Sequence, residues 1–286
     1  MPDKALSVAL IQLTSIDNPS QNEREIFNKL DELSDRGGAR LIVFPENALF
    51  MRLSGNSRIV AHSMTDPIFT RLENYCRDHQ CEILLTTPIV EEMASSSPQA
   101  RVCNATVWVS GNRSPELVYK KIHLFDVDIP GAPSVRESSE FEGGSQPRIL
   151  DIDGWKIGLS ICYDVRFSEL FLYYAKESVD IILVPSAFLV PTGRAHWEVL
   201  LRARAIECQS YILAPGQGGV HKNEVTEDTR ETWGHSLIVD PWGTVLAQLD
   251  KEDSSSKSEK IIRADLDPAK IVDFRRRMPM SLHRRI

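Results

Sequence analysis

The sequence has no apolar run approaching the ~20 residues that a membrane-crossing helix requires; even residues 181–190 are interrupted by Pro185 and Ser186. A membrane span is excluded on that reading. A basic surplus is also missing. The 33 Lys plus Arg stand against 40 Asp plus Glu, a formal net charge of −7, which disfavours nucleic acid as a partner. Cysteine is sparse and odd in number: Cys76, Cys81, Cys103, Cys162 and Cys208 form no C-x-x-C pair and no zinc-type spacing. That argues against a disulfide framework or a thiolate metal site and predicts a reducing, cytoplasmic compartment. No targeting segment is evident. Lys4 precedes the apolar residues 5–10, but Gln12 and Thr14 follow without a small-x-small cleavage site, so the stretch reads as a strand. A mitochondrial pool is compatible with the same reading.

What remains is the balance of a globular protein: 286 residues, 42% hydrophobic, 26% charged and 7% aromatic, which predicts one large domain spanning 1–286. Apolar periodicity predicts strands over 6–13, 39–44, 82–87, 105–109 and 116–120, with helices over 21–36 and 67–78. A hairpin is expected around Gly111, Asn112 and Ser114. After the irregular polar stretch 126–146 the pattern recurs. Strands are predicted over 148–152, 156–161, 181–184, 211–215, 236–239, 245–249 and 261–265, with helices over 167–175 and 195–209. Strands alternating with helices, in two half-patterns without a linker, predict an α/β fold of two packed sheets with helices outside. Residues 254–257 read as a polar loop. The basic tail, Arg275–Arg277 with Arg284 and Arg285, reads as a solvated or intersubunit helix end.

Acyl transfer needs a nucleophile, a proton shuttle and a positive hole, and sites in α/β sheets lie at the carboxyl ends of strands. Three side chains stand at such ends. Cys162 follows the predicted strand 156–161 and precedes a helix, Glu46 follows Pro45 after the strand 39–44, and Lys121 ends the strand 116–120. Taken singly, each has a structural explanation: a small buried hydrophobe, a helix-start charge, a solvated lysine.

Their surroundings decide otherwise. The runs LIVFPE (Leu41 to Glu46), YKKIHL (Tyr119 to Leu124) and ICYDVRF (Ile161 to Phe167) resemble, in order, the three signatures of the nitrilase superfamily of carbon–nitrogen hydrolases. The likeness continues through PSAF (Pro185 to Phe188), TGRAHWE (Thr192 to Glu198), LLRARAIE (Leu200 to Glu207), GHS (Gly234 to Ser236) and DPWG (Asp240 to Gly243). The resemblance implies a four-layer αββα sandwich of two mixed sheets flanked by helices. It implies Cys162 as nucleophile, Glu46 as general base and then acid, and Lys121 facing the developing oxyanion with the Tyr163 N–H. A second glutamate of the family falls on Glu137, where it would orient Lys121. On this reading a thiolate at Cys162, beside Lys121 and a helix N-terminus, is expected to be favoured over the thiol. The family usually has Pro after Arg-Phe, where this chain has Ser168; Ser also suits a helix start, so the helix is expected to persist. His123, His196 and His235 are expected to be structural, and no metal or organic cofactor is expected.

Within the superfamily the text around 123–130, 214–221 and 278–285 resembles the Nit branch, and there the deaminated-glutathione amidases. That implies cleavage of a 2-oxoglutaramyl peptide to 2-oxoglutarate and cysteinylglycine through a Cys thioester. The alternatives are an omega-amidase acting on 2-oxoglutaramate or a catalytically silent binding member of the fold. Arg166 is the candidate partner of a keto-acid carboxylate, with Phe188 and Thr192 as pocket walls. The resemblance also implies a homodimer or larger homo-oligomer, joined through the helices after Cys162 and over 195–209, with the tail 266–286 packing on the partner. Residues 170–174, Leu-Phe-Leu-Tyr-Tyr, are apolar around more than one face, which calls for a second partner, either the chain's own helix over 195–209 or the same helix of another subunit.

Overall fold

A computed structural model describes residues 2–54, 58–91, 101–128, 134–223, 225–249 and 260–285 of the chain. The predicted polar loop 254–257 and part of the irregular stretch, 129–133, lie outside the described residues.

Two six-stranded mixed sheets form the centre. The first runs Ile261–Leu266, Leu6–Ile11, Leu41–Val43, Glu82–Glu91, Arg101–Ser110, Arg113–Lys120. Its inner three strands are parallel, and the outer pairings are antiparallel. The second runs Ile149–Ile152, Trp155–Leu159, Ile181–Leu183, Tyr211–Ala214, Leu237–Val239, Val245–Gln248 and repeats the scheme. The central strands are buried on both faces, which is why they read in the sequence as short continuous apolar runs. One core joins the sheets: Leu10, Val43 and Leu84 of the first pack with Leu159, Leu183 and Leu213 of the second. On the far side of the first sheet a separate core lies under helices α1 (Pro19–Asp35) and α2 (Pro67–His79), which contribute Ile26, Leu30, Phe69 and Leu72. Helices α3 (Ser168–Lys176) and α4 (Val190–Cys208) pack on each other and on the second sheet, burying Phe171, Tyr174, Trp197 and Leu201. The layering is the αββα sandwich the sequence predicts.

Most boundaries move by a few residues, and two differences matter. Helix α4 begins at Val190, five residues before its predicted start, because Pro191 stands in the first turn, where its missing N–H costs nothing. Gly193 reads as a breaker but is required by packing: a Cβ there would lie 2.2 Å from Trp233 Cγ. The second difference is an unpredicted hairpin, Gly218–Lys222 with Thr229–Trp233, which is short and polar on one side and so lacks an apolar signal. Helix α5 (Pro268–Arg277) places the three arginines in its last turn, where the helix dipole favours them.

Candidate active site

Glu46, Lys121 and Cys162 meet at one end of the sandwich, where strands of both sheets end. Each is carried there by a different element. Glu46 lies three residues beyond Leu41–Val43, in a segment held by Gln217, whose Nε2 donates to the Glu46 carbonyl at 2.9 Å. Lys121 follows directly on Arg113–Lys120, its N–H donating to the Asn104 carbonyl at 2.9 Å. Cys162 opens a 3₁₀ turn, Cys162–Arg166, between Trp155–Leu159 and α3. Its φ of +49° is left-handed, a conformation that costs a non-glycine residue about 1–3 kcal/mol and persists only where neighbours fix it. Those neighbours are visible. The Cys162 N–H donates to the Pro185 carbonyl at 2.9 Å, and Asp164 beneath the turn accepts from the Ile161 N–H, the His123 N–H and the Tyr119 hydroxyl. The turn therefore places the buried Cys162 on the wall of a cavity, and the helix after it survives the Ser168 departure.

The ionic arrangement is compact. Lys121 Nζ donates to Glu46 Oε1 at 2.9 Å and to Glu137 at 2.8 and 3.0 Å, and the lysine is 2% exposed. Burial alone would push its pKa down, but Glu137, Glu46 and Cys162 together hold it well above the usual lysine value, so it is an ammonium. Glu137 is no solvated loop residue: its carboxylate also accepts from the Phe125 N–H at 2.6 Å. The second oxygen of Glu46 accepts from the Ala187 N–H at 2.9 Å.

The thiolate expected from the sequence is overturned. Burial pushes the Cys162 thiol far up, the Glu46 carboxylate pushes in the same direction, and the pull of Lys121 and of the Ala187 N–H does not compensate. Burial is the larger cause and the nearby Glu46 the next, and together they favour the neutral thiol despite the opposing pull of Lys121.

Asn104 was not singled out by the sequence, since one asparagine in a strand carries no signal. Its side-chain amide donates to Glu46 Oε1 at 2.8 Å and lies 3.5 Å from Glu137 Oε1, tying the two acids together. The three histidines have partners: His123 is bonded to Asp164 at 2.7 Å and stacked on Phe167, His235 is bonded to the Leu249 carbonyl, and His196 to Arg166.

The cluster opens into a cavity whose empty volume is about 780 Å³ when the open solvent at its mouth is included. Tyr163, Arg166, Phe188 and Thr192 all line it. Arg166 Nη1 lies 3.1 Å from His196 Nδ1, and its guanidinium sits 5.2 Å from the Phe188 ring centre. Arg52 and Arg230 also line the cavity and were not foreseen. Arg52 is bonded to Glu140 at 2.5 Å.

A thiol, a carboxylate that can take and return its proton, and a buried ammonium are the parts of a cysteine-dependent hydrolase. The profile of the Carbon-nitrogen hydrolase family matches residues 7–276, and the chain belongs to that family. A Synechocystis protein named deaminated glutathione amidase is 34% identical over 286 residues, covering 98% of each chain. Its namesake from Rattus norvegicus is 36% identical over 282 residues, 97% of this chain and 82% of the relative. Among solved structures, the C. elegans NitFhit protein superposes with a TM-score of 0.81 at 30% identity, over 100% of this chain and 66% of that longer one. The protein is therefore a hydrolase of non-peptide carbon–nitrogen bonds in amides, and the reading as a silent binding member falls away.

Proposed function

We propose that the protein hydrolyses the amide bond of deaminated glutathione, releasing 2-oxoglutarate and cysteinylglycine. The observation that carries the reading is the charge of the cavity: beyond the Glu46–Lys121–Glu137 cluster it is lined by arginines, which suits an amide bearing carboxylates. Full-length relatives of that name support it.

In the first half-reaction Cys162 Sγ bonds to the scissile carbonyl carbon as Glu46 takes the thiol proton. The carbonyl electron pair moves onto oxygen, where Lys121 Nζ and the Tyr163 N–H, free in the first turn of its helix, stabilise it. Collapse breaks the C–N bond, and Glu46 passes its proton to the departing nitrogen. A thioester remains on Cys162. Water then gives a proton to Glu46 and its oxygen to the acyl carbon; the C–S bond breaks, and sulfur recovers the proton. Glu137 and Asn104 hold Lys121 and Glu46 in register throughout. Arg166 binds the keto-acid carboxylate, with Phe188 and Thr192 as walls. No step calls on a metal or an organic cofactor.

Comparing turnover of deaminated glutathione and of 2-oxoglutaramate by the purified protein tests the substrate. A kcat/KM clearly higher for the peptide is expected; a preference for 2-oxoglutaramate assigns the omega-amidase reaction instead.

The chain acts as a homodimer or larger assembly, with its tail packed on the partner. Within one chain Leu170, Phe171 and Tyr174 of α3 are buried, while Tyr173 of α3 is 41% and Val199 of α4 is 63% exposed. Sedimentation of a fully active monomer at micromolar concentration would rule this out. A cytoplasmic location goes with it; among the described residues no helix is long and apolar enough to cross a membrane.

A further inference from the structure

We infer that Arg230 is the anchor for a carboxylate on the leaving-group half of the substrate, the terminal carboxylate of the released peptide. The inference rests on the reading of the reaction given above and adds a second anion site to it, distinct from Arg166.

Arg230 lies in the unpredicted hairpin strand Thr229–Trp233. Alternation along that strand turns Thr229 and Glu231 to solvent and Arg230 and Thr232 inward, and Arg230 reaches the wall of the cavity that holds Cys162 and Glu46. The strand is pinned on three sides. Thr232 Oγ1 and the Ser15 carbonyl are each 2.6 Å from a nitrogen of the buried His221, and the Trp233 N–H donates to the Phe188 carbonyl at 2.9 Å. The guanidinium is thus presented by a rigid support, which removes much of the ordering cost of binding.

Its own hydrogen bonding is incomplete. Nη1 donates to the Arg52 carbonyl at 3.3 Å, and among the described residues no carboxylate pairs with Arg230. The acids nearby are committed elsewhere: Glu46 and Glu137 to Lys121, Glu140 to Arg52. Burial pulls the arginine's pKa down, as expected of a cation held without a counter-ion. A guanidinium that lines the cavity and has one backbone carbonyl as its partner among the described residues keeps donors for a carboxylate.

The side of the substrate follows by elimination. Deaminated glutathione carries two carboxylates, one on the keto-acid half and one at the end of the peptide half. Arg166, beside Tyr163 and Phe188, is given the first, and Arg230 is a second arginine of the same cavity with no acidic partner among the described residues, so it serves the second.

The test needs no turnover. Cysteinylglycine and cysteinylglycinamide, which differ only in the terminal carboxylate, are titrated into Cys162→Ala protein and into the same protein carrying Arg230→Gln or Arg230→Lys. With Arg230 present the acid should bind about 10- to 100-fold more tightly than the amide, the worth of a charge-assisted pair. Arg230→Gln should erase the difference, and Arg230→Lys should retain part of it. Equal binding of acid and amide with Arg230 present, no measurable binding of either, or a preference that survives Arg230→Gln in a protein melting like its parent overturns the proposal. Failure of the substrate reading is seen separately, as wild-type protein that cleaves other amides but leaves deaminated glutathione intact.

Discussion

In the first sheet two parallel pairings flank Leu41–Val43, and the chain leaving that strand carries Glu46; in the second, two parallel pairings flank Ile181–Leu183, and the chain leaving it carries Ala187. The two segments touch, the Ala187 N–H donating to the Glu46 carboxylate. Equivalent places in the two sheets are thus joined across the sandwich, yet they hold different chemistry. In the proposed reaction the first sheet supplies the groups that move and stabilise charge, Glu46, Asn104 and Lys121. The second supplies the sulfur, on a left-handed turn, and N–H donors. The first-sheet counterpart of that turn, after Leu6–Ile11, is taken up with structural work: Gln12 accepts from Ser236, and Leu13 bridges to Gln217. One pairing scheme, used twice, positions both halves of a reaction because the shared core between the sheets fixes strand ends against each other to within hydrogen-bond distances.

The division can be broken from the second sheet first. Cys162→Ala and Cys162→Ser should reduce turnover to background while the melting temperature stays near that of wild type, measured by calorimetry alongside amide hydrolysis. Activity retained in either variant would move the nucleophile elsewhere. In the first sheet, Lys121→Ala should lower kcat by roughly 10²-fold or more. It should also destabilise the fold, by about 3–5 kcal/mol in denaturant unfolding, because Glu46 and Glu137 are left buried without their cation. An unchanged rate would take Lys121 out of the oxyanion role.

Removing the tie between the acids should cost less. Asn104→Ala should lower kcat by about 10-fold through misplacement of Glu46, with KM little changed, and Asn104→Asp should cost more because it adds a third carboxylate. A loss confined to KM would make Asn104 a substrate contact rather than a positioning residue. The protonation state of sulfur gives a further check: alkylation of Cys162 by iodoacetamide should keep rising into the alkaline range, since burial and Glu46 raise the thiol above its ordinary value. A rate already level at neutral pH would restore the thiolate.

The smallest effect is on stability. Burial holds the His221 imidazole down to about 4, against 6.5 for a free histidine, so the unfolded chain takes up this proton first. Stability from this group is complete above about 6.5 and is lost as the pH falls toward 4, by up to roughly 3 kcal/mol. His221→Gln should flatten that part of the curve in urea unfolding at pH 4 to 7. Since His221 supports the hairpin that carries Arg230, the variant should also weaken the acid-over-amide preference more than it slows the chemistry.

Both sheets were legible in the sequence because buried parallel strands leave continuous apolar runs such as 41–43 and 181–183, whatever else the chain does. Glu46, Lys121, Cys162 and Glu137 were legible because each sits at the end of a recognisable strand or within a run resembling a known family. The start of α4 was not: Pro191 and Gly193 break helices on average, and only the position of Trp233 shows why a glycine is needed there. Asn104 and Arg230 left no local signal, since what makes an asparagine tie two acids, or an arginine face a cavity, is the distance to residues far off in the chain, 58 and 33 positions away for Asn104. The protonation of Cys162 was decided in the same way. A sequence names the neighbours that lower a thiol's pKa, but burial and the approach of the Glu46 carboxylate exist only once the two sheets have closed over the site, and together they outweigh the pull of Lys121 on sulfur.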